Sequence, residues 1–267
     1  MKPELTDTHT HLYLPEFKND ITDVINRAVE NGVTKFYLPA IDSTHTKEML
    51  ELEEKYPGKY IAMMGLHPCS VKENYKEELA LVNDWLRKRK FAAVGEIGLD
   101  FYWDKTFADQ QYESFHQQIE WALQYKIPIN IHSRNAMQQS IDVVKQYAGK
   151  GLRGIFHCFS GTYTNACEII ETGFYLGIGG VVTYKNSGVA DAIKDIDLKH
   201  IVLETDAPYL TPAPFRGKRN ESSYLQYVAQ KIAEVKNISV DEVAEVTTKN
   251  AGQVYSDENY NNSSQPE

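Results

Sequence analysis

The stretch "LTDTHTHLYLPEFKNDITDVINRAVENGVTKFYLPAI", residues 5–41, decides the fold. It opens on a β-rich run, "LTDTHTH" (5–11), and closes on another, "KFYLPAI" (35–41). Between them, "NDITDVINRAVENG" (19–32) puts Ile21, Val24, Ile25, Ala28 and Val29 on one helical face, and Gly32 supplies a stop. Strand, helix and strand in this order read as a crossover that pairs the two strands in parallel. The pattern recurs. Further strand runs are "YIAMMGLH" (60–67), "FAAVGEIGLD" (91–100), "IPINIHS" (127–133), "RGIFHCFS" (153–160), "FYLGIGGVV" (174–182) and "HIVLETD" (200–206). "TFADQQYESFHQQIEWALQYK" (106–126) is a second clear helix, with Phe107, Tyr112, Phe115, Ile119 and Leu123 as core contacts. Eight such units in 267 residues predict an α/β fold, a single closed (β/α)8 barrel of the TIM type. A doubly wound open sheet is the competing arrangement. No Pro/Gly/Ser-rich linker divides the chain, so residues 1–255 read as one barrel domain. The segment "SDENYNNSSQPE" (256–267) reads as a polar, disordered tail.

Composition narrows the function. Hydrophobic residues make up 42%, enough for one sizeable core, and the formal net charge of −9 argues against non-specific binding to nucleic acid or anionic membrane. It leaves room for a local positive site made by metal ions, which formal counts omit. Cys69, Cys158 and Cys167 are too scattered for a disulfide framework or zinc ribbon, so they read as packing residues of a reducing compartment. The start "MKPELTDTHTH" lacks a secretory apolar stretch, and no run approaches the roughly 20 apolar residues of a membrane span. A cytoplasmic, monomeric protein without membrane contact is expected; its protein partners are not legible.

The histidines point to chemistry. In a parallel barrel the C-terminal strand ends converge on one face, where the active site forms. His9 and His11 end the first strand run, His67 the third, and His132 and His157 two later ones. Residues two apart on a strand share a face, so His-x-His aims both imidazoles the same way, an arrangement suited to zinc, manganese or cobalt. A lone His-x-His reads first as a surface pair or hydrogen-bonded core; His132 and His157 at equivalent strand ends shift the balance to a metal site. Carboxylates complete the group. Glu96 sits inside the apolar run "VGEIGLD", and Glu204 and Asp206 share a face in "VLETDAPYL". A buried carboxylate is costly unless paired or metal-bound, and beyond their first residues, Lys35 and Arg153, the strand runs hold no Arg or Lys to pair with Glu96 and Asp206. Glu204 has three open roles: binding substrate, orienting water, or accepting a hydrogen bond from a ligand. Four histidines and two carboxylates exceed one four-coordinate ion. The expectation is two divalent ions, one held by His9, His11, Glu96 and Asp206, the other by Glu96, His132 and His157, with Glu96 as bridge. Zinc, manganese and magnesium all fit this description.

Taken together, "DTHTHL", "GEIGLDFYW", "IHSR", "FHCFSG", "ETDAPYL" and "FRGKRNE" resemble, in this order, the TatD family of metal-dependent hydrolases, a branch of the amidohydrolase superfamily. The resemblance covers residues 6 to about 255. It implies a distorted barrel and a metal centre at His9, His11, Glu96, His132, His157 and Asp206. It also implies catalytic or substrate-handling roles for His67 and Glu204. Members of the family are deoxyribonucleases, including 3′ exonucleases on single-stranded DNA. Two departures are visible: Thr10 stands where Cys is frequent, and Ser222 where Pro is frequent.

The implied reaction is phosphodiester hydrolysis of DNA, single-stranded by preference, by metal-activated water. Asp206 would serve as general base; His67 would bind the phosphate or protonate the leaving oxygen. Two divalent ions leave the centre net positive, which reconciles an acidic chain with a polyanionic substrate. Arg134, Arg216, Lys218 and Arg219 are the expected phosphate contacts. Phe101, Tyr102 and Trp103 offer faces for base stacking, with loop packing the role of at least one. The same centre would equally hydrolyse a carboxylic ester or amide, including an aminoacyl ester on RNA, and a non-catalytic metal-binding scaffold is a third reading.

Overall fold

The computed structural model describes residues 3–255, so the segment 256–267 lies outside the described residues. The strands are β1 (Leu5–Asp7), β2 (Val33–Leu38), β3 (Tyr60–Ala62), β4 (Val94–Asp100), β5 (Ile129–Arg134), β6 (Gly154–Phe156), β7 (Tyr175–Ile178) and β8 (Ile201–Leu203). All pair in parallel with their sequence neighbours, β1 to β3 in one ladder and β4 to β8 in a second. Two seams join the ladders. At the first, Met64 bridges Val94, and Gly95 N donates to Met64 O at 3.1 Å. At the second, Thr8 N donates to Leu203 O at 3.0 Å and Asp206 N to His9 O at 2.9 Å. Strand order therefore runs from first to last and returns to the first, the ring of a TIM-type barrel.

Parallel neighbours need crossovers, and amphipathic helices provide them. They are α1 (Ile21–Glu30), α2 (Thr46–Lys55), α3 (Tyr75–Lys88), α4 (Ala108–Tyr125), α5 (Met137–Lys145), α6 (Tyr163–Glu171) and α7 (Val189–Ile193); α8 (Leu225–Lys236) and α9 (Val240–Tyr255) follow β8. Strand parity sorts the core into two. Phe36 and Leu38 join the large cluster between strands and helices, whereas Tyr37 between them joins a smaller cluster with Ile61, Ile155 and Val202. The smaller cluster is the barrel interior, and α9 closes it: Ala251, Val254 and Tyr255 belong to it, and the Tyr255 ring stacks on Tyr37 at 3.8 Å.

The strands are shorter than their apolar runs predict. β1 ends at Asp7 rather than residue 11, β6 at Phe156 rather than 160, and β8 at Leu203 rather than 206. Past these points the backbone leaves the ladder, and side chains take over its hydrogen bonds. Asp7 Oδ1 accepts from Thr205 N at 2.9 Å, and Glu204 Oε1 accepts from Cys158 N at 2.6 Å. Cys158 and Asp206 adopt left-handed φ values of 46° and 56°, which turns the chain inward over the barrel mouth. The ring is distorted beyond the three-residue β3: Ala40, past the end of β2, reaches β4 directly, donating to Gly95 O and accepting from Glu96 N, each at 3.0 Å.

Candidate metal centre

All six expected ligands meet at the barrel mouth. Glu96 comes from β4, His132 from β5, and His9, His11, His157 and Asp206 from the segments just past β1, β6 and β8. The carboxylate of Glu96 divides the imidazoles into two sets. Its Oε2 lies 3.2 Å from His9 Nε2 and 3.6 Å from His11 Nε2; its Oε1 lies 2.8 Å from His157 Nε2 and 2.9 Å from His132 Nδ1. Asp206 Oδ1 stands 3.6 Å and 3.5 Å from the Nε2 atoms of His9 and His11.

The opposite nitrogen of each ring decides its tautomer. Tyr13 gives its only hydroxyl proton to Pro39 O at 2.6 Å, so at 2.9 Å from His11 Nδ1 it accepts, and that nitrogen carries the proton. His9 Nδ1 donates to Asn130 Oδ1 at 2.8 Å, and His132 Nε2 donates to Asp100 Oδ2 at 2.9 Å. His157 Nδ1 faces Glu204 Oε1 at 3.3 Å. In the neutral rings the nitrogens turned inward are lone pairs, and they face one another: 3.2 Å separates His9 Nε2 from His11 Nε2, and 3.4 Å separates His157 Nε2 from His132 Nδ1. Acceptors facing acceptors and carboxylates repel, and divalent cations relieve that repulsion. Imidazole nitrogens oriented from behind by carboxylate, amide or phenol are the donor set that zinc or manganese takes. The residues present fit metal ions.

Burial pushes the Glu96 carboxyl up, but His157, His67 and His9 and the hydrogen bond from His132 hold it well below the usual range. Asp206 is lowered likewise, burial being outweighed by His11, His157 and His9. His11, chiefly through burial, is lowered. Burial pulls His157, His9 and His132 down too, but the carboxylates facing them outweigh it and raise all three, so protons and cations compete for these nitrogens.

Above the cluster opens a cavity of about 710 Å³, its walls including Asp206, His67, Trp103, Arg134, Tyr209 and Leu210. His67 differs from the other rings. Its Nδ1 accepts from Cys69 N at 3.0 Å, so a neutral ring carries its proton on Nε2, 3.4 Å from Glu96 Oε1. It presents a donor where the other four present lone pairs. Glu204 is fully buried behind His157 and does not reach the cavity.

A family model described as "TatD related DNase" matches residues 6–256. The chain belongs to the TatD family of metal-dependent hydrolases. It is 38% identical over 252 residues to an uncharacterised metal-dependent hydrolase of Bacillus subtilis, YabD, covering 94% of this chain and 98% of that one. The crystal structure of the TatD homologue YjjV from Escherichia coli superposes with a TM-score of 0.89 at 30% identity, covering 94% and 98% of the two chains. A phosphotriesterase homology protein of Escherichia coli, solved with phosphate in its active site, shares the fold at 16% identity and a TM-score of 0.71, covering 96% and 99%.

Around this TatD centre the basic residues take different places. Arg134 lines the cavity and lies over the Tyr102 ring at 3.9 Å. Arg216 lies over Tyr184 at 4.0 Å, and Lys218 sits 5.7 Å from the Phe215 ring. Arg219 is committed elsewhere, gripping Asp20 with two hydrogen bonds of 2.8 Å and 2.6 Å. Of the aromatic trio, Phe101 packs against the core, while Tyr102 and Trp103 are exposed. Sequence reading missed Asp7, Tyr13, Asp100 and Asn130. Asp7 is fully buried, accepts from Thr205 and Ser222 across the closing seam, and is pushed up to about 7 by burial. An acid two residues before His-x-His was the one available signal. Among the described residues no helix is long and apolar enough to cross a membrane.

Proposed function

We propose that this TatD protein hydrolyses phosphodiester bonds of single-stranded DNA, using two divalent cations shared through Glu96. One observation carries the reading. The cavity over the ligand cluster is walled by a fixed imidazole N–H, from His67, and by a guanidinium, Arg134, that pairs with no carboxylate among the described residues. A carbonyl ester offers such donors one uncharged oxygen; a phosphodiester offers two non-bridging oxygens that share a negative charge.

His9, His11 and Asp206 would hold one cation and His132 and His157 the other, Glu96 giving one oxygen to each. When bound, such a pair polarises a phosphoryl oxygen and lowers the pKa of nearby water. Asp206, with 14% of its side chain exposed against 3% for Glu96, is the more open of the two cluster carboxylates that line the cavity. It orients the attacking water and accepts its proton. His67 Nε2–H donates to the phosphoryl or leaving oxygen, and the amide of Cys69 keeps the ring in that tautomer. Glu204 positions His157 rather than touching substrate. Arg134 binds a phosphate of the strand.

The experiment incubates metal-reconstituted protein with end-labelled single-stranded DNA, RNA and a panel of neutral esters. Asp206→Asn of measured metal content is the control. Metal-dependent DNA cleavage that the variant loses is the expected result. Ester turnover with intact DNA overturns the reading, and undiminished cleavage by the fully metallated variant removes Asp206 from the mechanism.

A further inference from the structure

Large exposed apolar side chains gather at one place. Of seven among the described residues, Trp103, Tyr209 and Leu210 line the cavity, and a fourth, Tyr102, meets Trp103 edge to face at 4.9 Å. Trp103 is 68% exposed and Tyr102 51%. Apolar surface left in water is unfavourable, so a cluster of such side chains at a cavity mouth marks a surface for a ligand.

The rings are held in place. Asp100 Oδ1 accepts from Tyr102 N at 2.9 Å and from Trp103 N at 3.1 Å, which caps the loop leaving β4. At its far end Asp104 accepts from Thr106 N and from Lys72 Nζ, each at 2.9 Å. The second oxygen of Asp100 holds His132 at 2.9 Å. One carboxylate thus sets both an imidazole of the metal cluster and the loop that carries the two rings. Arg134, opposite Asp100 in the β4–β5 ladder, spreads its guanidinium over Tyr102 at 3.9 Å and lies 5.2 Å from the Trp103 ring. Stacking fixes the plane of the guanidinium while leaving its N–H edge for a phosphate.

We propose that Trp103, Tyr102 and Arg134 form a nucleotide subsite beside the metal centre, in which an unpaired base stacks on Trp103 and Arg134 takes the phosphate of the same strand. The subsite rests on the phosphodiesterase reading above and deepens it, because it makes single-strandedness the recognised property. Every base has a π-face, so stacking tolerates sequence, but a base inside a duplex has both faces covered. The positions Asp100 assigns to ring and imidazole make the spacing between stacked base and reacting phosphate a built-in length.

The test uses binding rather than turnover. Holoenzyme is titrated with a fluorescent, hydrolysis-resistant phosphorothioate strand, and with an abasic phosphorothioate strand of equal length. Wild type should prefer the base-bearing strand. Trp103→Ala should weaken that strand by about 5- to 150-fold and erase the preference, and Trp103→Phe should keep most of it. Arg134→Met should weaken both strands alike and flatten the salt dependence by about 0.7 in log–log slope. The subsite is overturned if wild type binds both strands equally or neither, or if Trp103→Ala weakens both to the same degree. If binding behaves as expected but metal-loaded enzyme leaves ordinary DNA intact, the hydrolytic reading fails while the subsite stands.

Discussion

Tyr13→Phe removes one oxygen and isolates the role of a ring's orientation. In the native fold that hydroxyl donates to Pro39 O at 2.6 Å and accepts from His11 Nδ1 at 2.9 Å, with Tyr13 only 7% exposed. Phenylalanine keeps the packing but strands a buried carbonyl and a buried imidazole N–H. Each unsatisfied group costs about 1–3 kcal/mol. His11 can lower its own share by moving the proton to Nε2, but that places hydrogen where the lone pair should meet a cation. The variant is therefore damaged twice, in the metal-free protein by loss of hydrogen bonds and in the loaded protein by the wrong tautomer. Groups that orient a ligating histidine contribute about 10- to 100-fold in metal affinity. Competition against a fluorescent chelator at fixed pH reads that affinity, and urea unfolding of the metal-free protein reads the other loss. Unchanged affinity in a variant of reduced stability would sink the tautomer argument, because His11 would then bind without its partner.

Three further outcomes follow from the same geometry. Gly177→Ala would set a Cβ 2.3 Å from Glu204 Oε2 and 3.0 Å from His157 Cα, so it should cost about 1–3 kcal/mol and weaken metal uptake, and a wild-type melting temperature contradicts it. At Glu221 burial pushes the carboxyl up, but hydrogen bonds from Arg27 and Ser223 outweigh it and leave the group below its ordinary range. A depressed folded-state pKa gives stability that is present above the unfolded value of about 4.3 and lost as pH falls through the folded one. Glu221→Gln should therefore lower the urea midpoint at pH 7 and converge on wild type in acid, and a pH-independent gap argues against the pair. Chelation leaves the inward lone pairs unopposed. At a hundredfold excess over Kd the cation contributes about 2.7 kcal/mol, so stripping should lower the melting temperature by roughly 5–10 °C, restored by a divalent metal. Identical melting curves refute a resident ion.

Much of this was legible because it depends on short-range pattern. Alternating apolar runs and amphipathic stretches imply crossovers, and crossovers imply a parallel ring. His9 with His11, and Glu204 with Asp206, announce themselves by spacing two. Even so, parity alone did not carry these pairs: the backbone at both places has left the ladder, and Asp206 turns inward through a left-handed φ of 56°. Glu204 and Asp206 consequently part company, one behind His157 and one facing the cavity. What stayed hidden depends on partners far along the chain. Asn130 lies 121 residues from His9, and Arg219 lies 199 from the Asp20 that occupies it. Nothing near "FRGKRNE" distinguishes an arginine already engaged from one awaiting substrate.

The second seam has a consequence for biosynthesis. The first and last strands meet there, with Asp206 N hydrogen-bonded to His9 O, so His9 and His11 reach Asp206 only when the two ends of the barrel sequence come together. A nascent chain emerging from the ribosome displays His9 and His11 early, yet lacks the Asp206 that joins them until some two hundred residues later, when β8 docks. Closure of the ring and completion of this carboxylate–imidazole group are thus a single event, and a chain that stops short of β8 has neither.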